Sequence, residues 1–104
     1  MPNSNPHISE KLTNGIKMLG DAWILCIISN LANGEHRFNE IQRAVPGINP
    51  ATLSARLKKL EQEQIVLRKK ETVNKLSVTY TLTDKGRGIL PIIKEIQIFV
   101  EDFL

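Results

Sequence analysis

Apolar positions recur along this chain with two different periods, and the changes of period divide it into elements. Ile8, Leu12, Ile16 and Leu19 fall at i, i+4, i+8 and i+11, which predicts a first amphipathic helix, slightly weakened by Gly15. Residues 1–7, with two prolines among polar residues, predict a flexible N-terminal arm without regular structure. Asp21 is a good helix cap, and the AWILCIISNLANG segment after it is apolar on most sides, so it predicts a buried central helix closing at Asn33-Gly34. Cys26 lies in that run and is expected to pack as a small hydrophobe, shielded from oxidants. Glu35-His36-Arg37 is long enough only for a strand fragment.

From Phe38 to Gln64 the pattern describes two short helices and a tight turn. Phe38, Ile41 and Val45 have helical spacing until Pro46-Gly47 interrupts it. A second helix then starts, with Asn49 placed to cap it and Pro50 at the first position, where a missing N–H is harmless. Leu53, Leu57, Leu60 and Gln64 share one face, so the leucines are expected to point inward. Ala51, Thr52, Ala55, Lys58, Lys59 and Gln62 lie opposite, flanked by Ser54 and Arg56. Small side chains near the N-terminus admit close approach to base edges, while Lys and Arg reach phosphates. An ordinary solvated helix face has the same pattern, so the flanking segments must decide.

Beyond that helix the period drops to two. Leu76, Val78, Tyr80 and Leu82 alternate with Ser77, Thr79 and Thr81, which predicts a strand with one buried face. Ile65 to Lys70 is its expected partner across a turn at Thr72 to Lys75. The hairpin carries Arg68, Lys69, Lys70 and Lys75, a basic wing beside the two helices or a plain solvated hairpin. Thr83 or Asp84 then caps a long final helix, which Pro91 is expected to kink or to start. Its apolar residues run around most of its circumference, more than a chain this small can cover. A homodimer through both terminal helices, using Ile8, Leu12, Ile16, Ile92, Ile96, Phe99 and Phe103, is the economical solution; packing of the two helices on each other within one chain is the alternative.

The 104 residues suit one domain, expected over 8–104, that is mainly α with a small β-hairpin. Net charge is only +3, but residues 37–87 hold eleven Lys/Arg against five Asp/Glu, a balance of +6, leaving −3 elsewhere. A basic centre between acidic ends fits a polyanion-facing middle. The single cysteine excludes a disulfide framework or cysteine-rich zinc site, and His7 and His36 have no metal-site companions at useful spacing. The longest apolar run, Ala22 to Ile28, is too short to span a membrane, and a cytoplasmic location is the simplest expectation. No cofactor is implied, and no nucleophile, base and orienter set or phosphate loop points to an enzyme.

Several blocks, in this order, carry a resemblance: Leu19-Gly20 with Trp23, Arg37-Phe38-Asn39-Glu40-Ile41, Pro46-Gly47-Ile48, Leu53 to Glu61, and Tyr80-Thr81-Leu82-Thr83-Asp84-Lys85-Gly86. Together they make the chain resemble winged helix-turn-helix regulators of the HxlR type, from Ile8 to Leu104. The resemblance implies a prokaryotic, dimeric transcription factor, with the helix around Ser54 and Arg56 in the major groove and the hairpin as wing. Two departures stand out. Family members usually carry Gly-Gly-Lys before the tryptophan, where this chain has Gly20-Asp21-Ala22, and thiol-sensing members carry a cysteine near Glu10.

The expected function is therefore a sequence-specific DNA-binding regulator, a repressor acting as a homodimer on a near-palindromic duplex operator. Thr52, Ser54 and Ala55 would approach bases, with Asn49, Pro50 and Ala51 forming the helix start. Arg56, Lys58 and Lys59 would contact backbone or guanine, with Arg37, Lys70 and Lys75 as outer phosphate contacts. Pairing of Arg56 with Glu40 or Glu61 is the structural alternative for that side chain. A small-molecule effector between the terminal helices is compatible with the pattern. The rival reading is a protein-interaction module whose apolar final helix docks a different protein.

Overall fold

The computed structural model describes residues 8–71 and 77–104. The N-terminal arm, the turn at Thr72 to Lys75 and Leu76 therefore lie outside the described residues. The first helix, α1 (Glu10–Leu19), starts later than Ile8 because Ser9 caps it, its hydroxyl accepting from the Leu12 N–H at 3.0 Å. Next, α2 (Ala22–Asn30) is capped by Asp21 as expected, and a 3₁₀ turn over Leu31–Asn33 carries the chain to Gly34 at φ 136°. Ile24, Ile27, Ile28 and Leu31 line the buried side of this segment and form the middle of the core.

Cys26 corrects its expected burial: it is exposed. At about 100° per residue, position 26 lies on the far side of the helix from the stripe made by Ile24, Ile27, Ile28 and Leu31. An apolar sequence neighbourhood did not mean burial.

The helix-turn-helix consists of α3 (Phe38–Ala44) and α4 (Pro50–Gln62). Pro46-Gly47 makes the turn, with Gly47 at φ 82°, where an L side chain would be strained. Leu53, Leu57 and Leu60 are fully buried and join Ile41, Val45 and Ile48 in the core. Gln64 does not continue the leucine face: α4 has ended, and Gln64 turns the chain into the sheet at φ 60°.

The expected strand fragment is β1 (His36–Arg37), and it pairs with the wing, so the sheet has three antiparallel strands in the order β1-β3-β2. Here β2 is Val66–Glu71 and β3 is Ser77–Leu82, with Val66 opposite Leu82 and Glu71 opposite Ser77. Tyr80 and Leu82 are buried, as the period-two pattern requires.

The single long final helix is in fact two. Thr83 caps the short α5 (Asp84–Arg87), its hydroxyl accepting from the Gly86 N–H at 3.0 Å. Pro91 then sits in the first turn of α6 (Leu90–Phe103), marking its true start. Both α1 and α6 pack against α2, and neither contains a buried residue. Ile8, Leu12, Ile16, Ile92, Ile96, Phe99 and Phe103 are all exposed, Phe103 by 73%. No single helix among the described residues is long and apolar enough to cross a membrane.

Candidate nucleic-acid interface

The candidate surface is the outer side of α4, and its geometry starts with the helix cap. The Asn49 side-chain oxygen accepts from the Thr52 N–H at 2.8 Å, and Pro50 occupies the first turn. Burial of the three leucines rotates the other side outward, so Asn49, Pro50, Ala51, Ser54, Ala55, Lys58 and Lys59 are exposed, with Thr52 and Arg56 half-buried. Small residues hold the first turns and cations the later ones. Thr52 and Leu53 donate their N–H groups to Asn49 and Pro50 has none, so among the described residues the Ala51 N–H is the first-turn amide left open, and with the helix dipole it adds a partial positive charge where an anion would be attracted.

Arg37 belongs to a different element. It ends β1, where its register partner is Thr79, and Thr79 also faces Lys69 on β2. Residues opposite one another share a face of the sheet, so Arg37 and Lys69 flank Thr79 in one row. Lys70 is opposite Val78, on the other face, and is exposed at the outer end of the wing. Lys69 lies 3.8 Å from Glu71, both of them exposed. Lys75 lies outside the described residues.

The start of α3 is fixed by Glu40, whose Oε1 accepts from the Arg37 backbone N–H at 2.7 Å. That hydrogen bond is the main reason the Glu40 carboxyl is held below its ordinary pKa. His36, with Nδ1 at 3.8 Å, and the charges of Arg37 and Arg43 act in the same direction.

Arg56 has a partner that the sequence did not disclose. Its Nε donates to Asp21 Oδ2 at 3.0 Å, while the other Asp21 oxygen, Oδ1, accepts from the Ile24 N–H at 3.1 Å. One carboxylate thus caps α2 and tethers α4, and neither Glu40 nor Glu61 is the partner. The tether spans 35 positions, and no local spacing rule links them. Its one trace in the sequence is the acid at Asp21, in the Gly20-Asp21-Ala22 stretch that departs from the Gly-Gly-Lys of the resembled family. Among the described residues, no group of three His, Cys, Asp or Glu side chains is placed to hold a metal ion.

Comparison with known proteins bears on the family and the fold. Residues 18–104 match the family described as HxlR-like helix-turn-helix. The uncharacterised HTH-type transcriptional regulator YvaP of Bacillus subtilis is 34% identical over 94 residues, covering 90% of this chain and 87% of that protein. The HTH-type transcriptional regulator YodB of the same organism is 37% identical over 93 residues, covering 89% and 83%. The reduced form of YodB superposes with a TM-score of 0.83 at 35% identity, covering 93% of this chain and 95% of that structure.

Proposed function

Because the chain belongs to the HxlR-like helix-turn-helix family of DNA-binding transcription regulators, we propose that it acts as a homodimeric repressor on a near-palindromic operator. The observation that carries the DNA reading is α4 itself: capped, anchored by three buried leucines, and presenting Ala51, Ser54, Ala55, Lys58 and Lys59 outward. In this reading Thr52, Ser54 and Ala55 meet base edges in the major groove, and Lys58, Lys59 and Arg56 hold phosphate or guanine. Arg37, Lys70 and Lys75 contact the flanking backbone.

The apolar exposure of α1 and α6 supports the dimer. Ile96, Phe99 and Phe103 recur at helical spacing on α6, and Phe99 and Phe103 stack with ring centroids 5.2 Å apart. A two-fold pair through these helices puts two copies of α4 on one duplex face, which a near-palindromic site would match.

The test is fluorescence anisotropy on the gene's own upstream DNA and on an unrelated duplex, at two salt concentrations, with mass measured by light scattering. A dimer that prefers the upstream fragment and loses affinity steeply with salt is expected. Equal, salt-insensitive binding to both duplexes, or no binding by folded protein, would overturn the reading. Arg56→Ala should weaken operator binding by about 1–3 kcal/mol.

A further inference from the structure

Burial of Leu53, Leu57 and Leu60 fixes the rotation of α4, and at about 100° per residue the line farthest from them runs through Ala51, Ala55, Lys58 and Gln62. All four are exposed. A recognition helix carries its first turns deepest into a major groove, and within the first two turns of α4 this line holds only methyl groups. Gln62 stands about 16 Å further along the axis than Ala51.

The side chains able to grip a base edge with two hydrogen bonds are engaged elsewhere. Adenine is held by the oxygen and nitrogen of one Asn or Gln together, and guanine by two donors of one Arg or Lys. The Asn49 side-chain oxygen is turned to the Thr52 N–H at 2.8 Å, so that pair of atoms is not presented together to a base. Arg56 stands to the side of the line, half-buried, with Nε donating to Asp21 Oδ2 at 3.0 Å. Ser54 can donate or accept, so its hydroxyl selects no base. The alanines remain.

A methyl group discriminates among bases in one way. Thymine alone carries a methyl in the major groove, and contact with an alanine removes both methyls from water, whereas a polar base edge against the same alanine would lose hydrogen bonds to water without replacement. Ala51 and Ala55 are about 6 Å apart along α4. Base pairs stack about 3.4 Å apart, so the two alanines meet pairs about two steps from one another.

We propose that Ala51 and Ala55 are specificity-determining residues, and that the half-site they read carries thymines about two steps apart, recognised through their 5-methyl groups. This rests on the DNA-binding reading of α4. Lys58 and Lys59, further along, add affinity to whatever half-site the alanines select.

Replacing thymine by uracil in the upstream fragment removes those methyls and leaves the protein as it is. Anisotropy on the two duplexes should show the uracil fragment bound more weakly, by about fourfold for each methyl in contact. The salt slope should be the same for both, since no phosphate contact changes. Loss of the methyls also alters the stiffness of the duplex, and Ala51→Gly and Ala55→Gly, made singly, separate the two causes. Each should shrink the uracil penalty by about fourfold or more, whereas a penalty that comes from DNA shape would stay whole. Equal binding of both fragments, with preference over unrelated DNA and salt dependence intact, would overturn the thymine reading and leave the DNA reading standing. A uracil penalty undiminished in both folded variants would do the same. Failure of the folded parent chain to bind either fragment would overturn both readings.

Discussion

Asp21→Asn separates the two tasks of one carboxylate and measures what Arg56 does. Oδ1 caps α2 through the Ile24 N–H, and an asparagine carbonyl can keep that bond. Oδ2 accepts from Arg56 Nε at 3.0 Å, and an amide nitrogen in its place cannot. The pair is partly solvated, with side-chain exposures of 34% for Arg56 and 25% for Asp21. Its worth is therefore that of a screened pair, about 0.2–1 kcal/mol. For a domain of this length the expected fall in melting temperature is about 1–8 °C. If Arg56 must leave Asp21 to reach DNA, the same energy opposes operator binding in the parent, and removing it should tighten binding by about 1.4- to 5-fold. The salt slope should steepen by up to about one unit. Anisotropy with operator DNA, alongside calorimetric melting, reads both. The double variant with Arg56→Ala should show no gain from Asp21→Asn, because the freed group is absent. Operator binding at least twofold weaker in Asp21→Asn would refute the competition and show that Arg56 works while held by Asp21.

Three further outcomes follow from other contacts. Gly86→Ala would place a Cβ within 3.0 Å of the Ile65 carbonyl oxygen, backbone that also accepts from Thr83, so a loss of about 1–3 kcal/mol in denaturant unfolding is expected; an unchanged midpoint would refute the close packing. Phe99→Asp with Phe103→Asp puts charges on the exposed stripe of α6, and light scattering should show monomer where the parent is a dimer, with the melting transition retained. The lowered pKa of Glu40 means its contribution to stability is complete above the ordinary value of 4.5 and is lost as pH falls through that value toward the folded one; Glu40→Gln should remove this part of the acid dependence, measured as stability against pH, and a parallel curve would refute it.

What could be read in the sequence was what local chemistry determines. The cap at Asn49, Pro50 beside it and the inward Leu53, Leu57 and Leu60 lie within one short segment, so α4 and its outward side were legible without the fold. The alternation ending at Tyr80 and Leu82 was legible for the same reason. The failures all concern what an element meets. Cys26 stands in an apolar run yet faces outward, because burial depends on which side of α2 receives α4. Pro91 did mark where α6 starts, but the separate short α5 was not legible, because it follows from the junction at which Thr83 bonds to the carbonyls of Gln64 and Ile65, and Gly86 packs against the latter. The candidate site divides along this same line. Ala51, Ser54 and Ala55 are placed by α4 alone, whereas Arg56 is directed by an acid 35 positions earlier and Lys59 lines an open groove between α4 and α1. Residues proposed to face base edges are thus set locally, and those that connect α4 to the rest of the chain are set by tertiary contact. A change of operator affinity need not alter the proposed base-facing turn of α4; a substitution at Asp21, which holds Arg56, would suffice.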